Sequence, residues 1–378
     1  MLIKILSDVR DNRRRQGLRY ELLHILILSV FAVLSGANSY RRIHSFIDIH
    51  YELLNDTFDL NWKRIPAYTT VRNIIRGVSA ESLENAFEAY SLRLTEDTDG
   101  TSFIAFDGKV LRGSFDYSDD KSPVQCLSAF VTDSKIIIAH RDIGEKTNEI
   151  PAAQELITKL GLENKVFTFD AMHCQKKTLQ VAKESGNDVI VQVKANQKTL
   201  RDDCVKTAGT SRPSDSYKEP ADKTRNRIES RNAEVYEDML LTDNEKWKNI
   251  RAMVKIERER EIFDTKTKQW KKTDEISYYV STTILSAEEF CKGIRGHWEI
   301  ENSDHHVRDV SMNEDGSRIR DNPHIFSKLR SFALNIMRAN KVRNVARELF
   351  RNCMNIANIF NYRGIDRKST RLNSSHRL

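Results

Sequence analysis

The sequence predicts a mixed α/β domain preceded by an all-helical N-terminal region. Apolar residues recur at helical spacing from the N-terminus to about residue 94. A polar stretch over residues 95–102 then interrupts the pattern and is predicted to be a linker. Beyond it, short apolar runs typical of strands alternate with helical stretches. This is the order expected of a sheet packed against helices.

Composition narrows the class of protein. The chain of 378 residues is long enough for two or three domains, and its 39% hydrophobic residues exclude a disordered chain. Its five cysteines are odd in number and never spaced as C-x-x-C, so neither a disulfide framework nor a cysteine zinc site is predicted. A reducing cytoplasm therefore fits. The formal net charge of +7 favours a polyanionic partner.

Residues 1–94 are predicted to be helical, with helices at 20–35, 40–49, 70–78 and 79–94. The apolar run from Leu22 to Ala37 is too short to span a membrane, so we interpret it as a buried helix and expect no membrane association. Short helices joined by tight turns fit a DNA-binding module. A plain helical bundle explains the same pattern, and both interpretations stay open.

Residues 103–197 are predicted to form the first part of the α/β domain. Strands are predicted at 103–111, 124–132, 135–143, 165–172 and 188–194, and helices at 149–160 and 176–185. Three strands in a meander, followed by helix, strand, helix and strand, favour a ribonuclease-H-like fold.

Residues 198–275 are predicted to be a β-rich insertion and residues 276–350 the remainder of the same domain. The predicted strands are 234–241, 250–257 and 276–284, after a loop-like opening at 209–222. A helix is predicted from 287 to about 307, and another from Pro323 to about residue 350, because Asn322 and Pro323 form a typical helix start. Residues 366–378 resemble a translated sequencing adapter and are interpreted as an artefact.

Two aspartates lie in apolar strand sequence, Asp107 in the first predicted strand and Asp170 in the fourth. A buried carboxylate needs a cation, hydrogen bonds or a metal ion. Two carboxylates converging from neighbouring strands, with a third from a helix, would hold a pair of Mg²⁺ ions for phosphoryl transfer. The alternative is simple ion pairing, with Lys109 or Arg112 beside Asp107 and with His173 or Lys176 beside Asp170.

The third carboxylate is predicted on the helix around residues 295–306. Glu299 and Glu301 are two residues apart, so they point about 200° apart on a helix and only one can join the site. Glu301 shares its face with His297 and Trp298, whereas Glu299 is spaced to pair with Arg295 on the surface. An ordinary solvated helix is the alternative.

Six blocks carry a family resemblance. They are IAFDGKVLRGS (104–114), EKTNEI (145–150), FTFDAMHCQKKT (167–178), VIVQVKANQ (189–197), RGHWEIEN (295–302) and NEDGSRIR (313–320). In this order, across most of residues 5–350, they resemble the H-repeat-associated transposases of bacterial insertion sequences. That family belongs to the DDE superfamily.

The resemblance implies a ribonuclease-H-like catalytic domain with a β-rich insertion before the last catalytic acid. It also implies an enzyme that cuts and joins element ends with two Mg²⁺ or Mn²⁺ ions. By motif position, Asp107, Asp170 and Glu301 correspond to the catalytic, metal-binding acids. The implied partners are double-stranded DNA, as terminal inverted repeats and target, and a second copy of the chain on that DNA. The implied location is the bacterial cytoplasm, at the nucleoid.

Basic and polar residues in several regions are predicted to contact DNA, with residues 1–94 expected to bind the element ends. Phosphate contacts supply much of the affinity of such proteins. Arg308 falls seven residues after Glu301, where related transposases place a DNA-contacting lysine. The full candidate set is Lys109, Arg112, Lys194, Asn196, Gln197, Arg225, Arg227, His297 and Arg308. Two alternatives stay open, a catalytically inactive copy that only binds ends and a structure-specific nuclease of the same fold.

Overall fold

The computed structural model describes residues 1–14, 18–95, 101–115, 122–144, 148–224 and 226–365. Its helices are α1 (Leu2–Leu6), α2 (Leu22–Leu34), α3 (Tyr40–Ile49), α4 (Tyr51–Phe58), α5 (Tyr68–Arg76), α6 (Ala80–Leu94), α7 (Glu149–Leu160), α8 (Lys176–Glu184), α9 (Lys198–Thr210), α10 (Ala287–His297), α11 (Pro323–Ala339) and α12 (Val345–Met354). Its strands are β1 (Phe103–Leu111), β2 (Val124–Val131), β3 (Ile136–Ile143), β4 (Val166–Phe169), β5 (Asp188–Val193), β6 (Asp215–Lys218), β7 (Asp222–Thr224), β8 (Arg227–Tyr236), β9 (Ala252–Asp264) and β10 (Gln269–Ser281).

The N-terminal helices surround α2. This helix is apolar on all sides and almost every residue of it is buried, as expected of a helix at the centre of a bundle. Helices α1, α3, α5 and α11 all pack against α2. One hydrophobic core thus joins the start of the chain to α11, which follows the sheet in sequence. Within the described residues, none of the helices combines the length and apolarity needed to cross a membrane.

A single sheet carries the ten strands, in the order β3-β2-β1-β4-β5-β10-β9-β8-β6, with β7 paired to β8. Strands β1, β4 and β5 are parallel to one another, and the other pairs are antiparallel. Strand β10 pairs with β5 and thereby joins the predicted β-rich stretch to the first five strands. The predicted mixed α/β sheet, preceded by a helical region, is therefore confirmed.

Several predicted boundaries were wrong. The predicted C-terminal helix is two helices, because Asn340 ends α11, Lys341 adopts a left-handed φ of 57°, and the side chain of Asn344 caps α12. Residues 198–210 form the charged helix α9, where no helix was predicted. After His297 the predicted α-helix continues with π-helical pitch over Ile300–His305 and Val307–Ser311.

A buried charged cluster connects the N-terminal helices to the sheet. Glu84 on α6 accepts a hydrogen bond from the backbone N–H of His140 on β3 (2.6 Å), and its Oε2 lies 3.0 Å from Nζ of Lys328 on α11. Burial would raise the pKa of Glu84, but His140 and Lys328 lower it to about 2. All three residues are buried, so this cluster is a specific polar contact at the junction.

The Glu84 cluster predicts a pH dependence of stability. An unfolded glutamate has a pKa of about 4.3, so the lowered folded-state pKa stabilises the protein above that pH, and this contribution disappears as the pH falls towards 2. We expect Glu84→Gln to lower the free energy of unfolding by about 3 kcal/mol at pH 7, because Lys328 loses its buried partner. Urea unfolding over a pH series measures both effects. A variant that keeps the wild-type slope below about pH 4.5 would contradict this assignment.

Candidate active site

Strand register brings Asp107 and Asp170 together. In the parallel pair of β1 and β4, Phe103 is opposite Val166 and Ala105 is opposite Thr168. Extending this register by two residues sets Asp170 beside Asp107, because Asp170 keeps an extended backbone directly after β4. Neighbouring strands are about 4.8 Å apart, and paired residues point to the same face. The two aspartates therefore lie side by side at the end of β4.

Glu301 lies on the segment that follows α10, and this segment packs against the strand that carries Asp107. Helix α10 packs closely on β1, where a Cβ at Gly293 would lie 2.5 Å from the ring of Phe103. The π-helical turn that carries Glu301 packs against β1 as well. Glu299 differs from Glu301 in having a lysine partner, since its carboxylate lies 2.8 Å from Nζ of Lys135. The predicted pairing of Glu299 with Arg295 was wrong, because Arg295 pairs with Glu219 and Asp222 instead.

Electrostatics show that the acids are close. Burial raises the pKa of Asp107 to about 7, and the nearby carboxylates of Glu149, Asp170 and Glu301 contribute to the rise. The backbone N–H of Gly108 opposes the rise by donating to Asp107. Like charges this close disfavour ionisation of all of them at once. The site is therefore short of positive charge.

Simple ion pairing does not account for the two aspartates. Within the described part of the chain, Asp107 has no ion pair with Lys109 or Arg112, and Asp170 has none with His173 or Lys176. Asp170 accepts instead from the backbone N–H of Met172 at 3.1 Å. The imidazole ring of His305 does lie near Asp107, because its Nδ1 is 3.4 Å from Oδ2 of the aspartate. Burial lowers the pKa of His305, which favours its neutral form.

The donor set fits a hard divalent cation. Carboxylate oxygens are the ligands that Mg²⁺ prefers, and a divalent ion would offset the repulsion that raises the pKa of Asp107. Across the described ranges, no three His, Cys, Asp or Glu side chains stand at ligand spacing in this conformation. The side chains of Asp107, Asp170 and Glu301 would therefore have to rotate towards a common ion.

Sequence reasoning missed Glu149. This residue begins α7, and its carboxylate sits against Gly108, where an added Cβ would lie 2.5 Å from Oε2. The ring of His173 holds it, with Nε2 3.1 Å from Oε1. Its signal in the sequence was the 145–150 block, in which Glu149 is the second of two acids and had no predicted role. Its carboxylate is a fourth acid beside Asp107.

Three of the predicted DNA-contacting residues instead support the acids. His297 is buried, and its Nδ1 lies 3.1 Å from Oγ1 of Thr168 on β4, so it fixes the helix to the strand that Asp170 directly follows. Burial lowers the pKa of His297 to about 4. Asn196 and Gln197 donate to the backbone oxygens of Ala171 (2.6 Å) and Cys174 (2.9 Å), in the turn after Asp170.

Lys109 and Arg308 were predicted to contact DNA, but the structure buries both of them against carboxylates. Nζ of Lys109 lies 2.5 Å from Asp309 and 3.2 Å from Glu314, and it donates to the backbone oxygen of His305 at 3.1 Å. Arg308 is 2% exposed and pairs with Glu314 at 2.8 Å. These contacts attach the segment after Glu301 to β1, so the two cations hold the site together.

Arg112, Lys194 and Arg227 remain on the surface near the acids. Arg112 is 79% exposed in the turn after β1, and Lys194 is exposed at the end of β5. Arg227 on β8 borders a cavity of about 310 Å³ that also includes Glu301. Arg231, Arg258 and Arg295 line the same cavity, and its four arginines are matched by the carboxylates of Asp222, Glu229, Glu299 and Glu301. Arg225 lies outside the described residues.

Comparisons with known proteins identify the family of this chain. The family described as "Transposase DDE domain" matches residues 98–338, and the family described as "DDE_Tnp_1-associated" matches residues 3–91. The protein YbfL of Escherichia coli K12 is 31% identical over 90% of this chain and 91% of its own length. YhhI of the same strain, whose name describes it as an H repeat-associated transposase, has the same identity and coverage.

Among solved structures, a piggyBac transposase synaptic complex with hairpin DNA gives a TM-score of 0.40 at 11% identity. That likeness covers 94% of this chain and 79% of the other, and it is too distant to bear on the site. The match over residues 98–338 includes Asp107, Asp170 and Glu301. YhhI carries a transposase name, and YbfL matches the chain with the same identity and coverage. The chain therefore belongs to the DDE transposase family of bacterial insertion sequences.

Proposed function

We propose that Asp107, Asp170 and Glu301 are the catalytic carboxylates of this transposase and that they bind two Mg²⁺ ions. DDE transposases generally use divalent metal ions. The single observation that carries the residue assignment is the register of β1 and β4, which sets Asp107 beside Asp170 where the turn that carries Glu301 packs against β1. Bound metal ions supply charge stabilisation at the reacting phosphate and lower the pKa of an attacking hydroxyl or water.

We further propose that β1–β5 form a ribonuclease-H-like unit. The support is the spatial order β3-β2-β1-β4-β5, with an antiparallel meander followed by two parallel strands. In this unit Asp170 lies directly after the C-terminal end of β4. Strands β8–β10 then act as a β-rich insertion that precedes the Glu301 helix in the chain.

In this proposal the chain's own residues orient the acids and bind the DNA. His297, Asn196 and Gln197 hold the helix and the turn that carry Glu301 and Asp170. Glu149 lies close enough to Asp107 to favour its protonated form until positive charge arrives. Arg112, Lys194 and Arg227 supply exposed cations around the acids for phosphate contacts.

The partners proposed here are double-stranded DNA, as element ends and as target, and a second copy of the chain when two ends are brought together. The net charge of +7 supports a polyanionic partner. Binding to chromosomal DNA would set the protein at the nucleoid of a bacterial cytoplasm. Size-exclusion chromatography with light scattering, with and without an end-bearing duplex, distinguishes a DNA-dependent dimer from a monomer.

The test is strand cleavage on DNA that carries the cognate ends. We expect the wild-type chain to cut at the ends with Mg²⁺ and to stop when the metal is chelated. Binding without cutting, unaltered by Asp107→Ala, would identify an inactive copy and overturn the proposal. Equal cutting of branched DNA without the ends would indicate a structure-specific nuclease instead.

A further inference from the structure

We propose that a cavity between the N-terminal helices and residues 313–321 binds the phosphate backbone of duplex DNA. The inference rests on the proposed function, since it gives the same DNA a second contact away from the acids. The cavity measures about 490 Å³ and is lined by the start of α3, by one face of α5 and by residues 313–321. We call it the arginine cleft after Arg41, Arg72, Arg76, Arg318 and Arg320, which line it.

Charge is the first argument. Among the described residues that line the cleft, the five arginines are accompanied by a single acid, Asp321, which pairs with Arg76. The lining therefore carries an excess of four positive charges. A concave patch of one sign focuses its field on an anionic ligand. Arg318 and Arg320 come from the 313–320 block, which the proposed chemistry at the acids does not use.

The guanidinium groups of Arg41 and Arg72 are held in a way that keeps them able to bind an anion. Both lie over the ring of Tyr68, at 5.2 Å and 5.6 Å from its centroid. Contact with an aromatic face orients a guanidinium group without neutralising it. Lys109 and Arg308 differ, because carboxylates surround them in the protein interior. The arginine cleft thus presents oriented cationic donors, which suit phosphate oxygens.

The cleft also connects to the candidate active site. Residues 313–321 pack on the turn after β1, where a side chain at Gly113 would collide with the backbone oxygen of Ser317. Arg112, in the same turn, lies 3.6 Å from Asp315. Five residues of extended chain separate Asp107 from Arg112, about 17 Å at 3.3 Å per residue. About five base pairs of DNA cover that distance, so a duplex with a phosphate at Asp107 also reaches Arg112, and residues 313–321 connect that turn to the cleft.

A free nucleotide is the rival occupant, because the cavity volume falls within the range of small-ligand sites. Two observations favour DNA. The cations come from two helices and a separate loop, so they are distributed over a surface that spans both halves of the chain. The carboxylates at the end of β4 already require a phosphodiester substrate under the proposed function. The cleft therefore extends one DNA track instead of forming an isolated ligand pocket.

The test is the affinity of the full chain for a fluorescent duplex of about 25 base pairs, measured by anisotropy at several salt concentrations. The variant combines Arg41→Gln with Arg72→Gln. We expect its Kd to rise about tenfold at about 0.1 M salt, and the slope of log K against log salt to fall by about 2, one for each phosphate that is no longer neutralised. The matched control combines Arg141→Gln with Lys183→Gln, since both residues are surface cations paired to acids elsewhere.

Weaker binding by the arginine-cleft variant, with the control near wild type and both thermal midpoints unchanged, supports the proposal. Wild-type affinity in the cleft variant would overturn it, as would an equal decrease in the control. Tight binding of ATP that Arg41→Gln abolishes while duplex affinity stays unchanged would also overturn it in favour of a nucleotide. The proposed function fails separately, if the wild-type chain neither binds nor cuts DNA carrying the ends.

Discussion

Replacing Glu301 by glutamine is expected to lower strand cleavage by about 10³-fold or more, with little change in folding or DNA binding. The substitution keeps the size of the side chain and replaces one of the three carboxylates that would hold the metal ions by a neutral amide, which is a weaker ligand. Asp107→Asn and Asp170→Asn should cause decreases of similar size. The effects of combined substitutions should be far less than additive, because the three acids act as one unit.

Glu299→Gln is the matched control for this prediction. It makes the same chemical change two residues away, on a carboxylate that pairs with Lys135 and not with the acids. We expect its cleavage rate to stay within a fewfold of wild type. The measurement is a single-turnover rate on end-bearing DNA at saturating protein. An active Glu301→Gln chain, or an equally inactive Glu299→Gln chain, would show that the wrong glutamate has been assigned.

The second large effect is expected on stability, at Glu314. Its carboxylate is buried and lies 2.8 Å from Arg308, 3.2 Å from Lys109 and 3.5 Å from Arg330. Burial would raise the pKa of Glu314, but these three cations hold it well below its usual range. Glu314→Gln leaves buried cations without their shared partner, so we expect the free energy of unfolding to fall by about 3–5 kcal/mol.

Glu155→Gln provides the comparison, because Glu155 pairs with Arg141 on the surface and both side chains are about half exposed. Exposed pairs contribute about 0–1 kcal/mol. Urea unfolding at pH 7 measures both variants. A cost for Glu314→Gln no larger than that for Glu155→Gln would mean that the buried charges do not hold the Glu301 segment to β1.

The sequence predicts the regular core elements well and the polar ones poorly. Strand β1 and helix α7 have the predicted bounds, because an apolar run and a clear helix start define them. The β9–β10 hairpin is longer than predicted, because β9 continues to Asp264 and β10 already begins at Gln269. That end of the hairpin is highly charged and is not in the core, so no hydrophobic pattern marks it. Pairing between the two strands determines its length.

The candidate site shows the same division. Asp107, Asp170 and Glu301 could be selected because each is an acid in or beside apolar sequence or a motif. Glu149 belongs to the 145–150 block, but its approach to Asp107 depends on the packing of α7 against Gly108, which sequence spacing does not show. The positive charge of Arg308 suggested a DNA contact, but only the fold reveals the buried carboxylate of Glu314 beside it. Sequence spacing does not report burial of a charged residue.

The central claim is that the three carboxylates share metal ions, and a Mn²⁺-soaked crystal of the chain bound to end DNA tests it most directly. Anomalous scattering at the manganese edge locates the ions independently of activity. We predict two peaks bounded by the carboxylates of Asp107, Asp170 and Glu301, and their disappearance in Asp107→Asn. Peaks held by other residues, or none in a crystal that contains the DNA, would contradict the account.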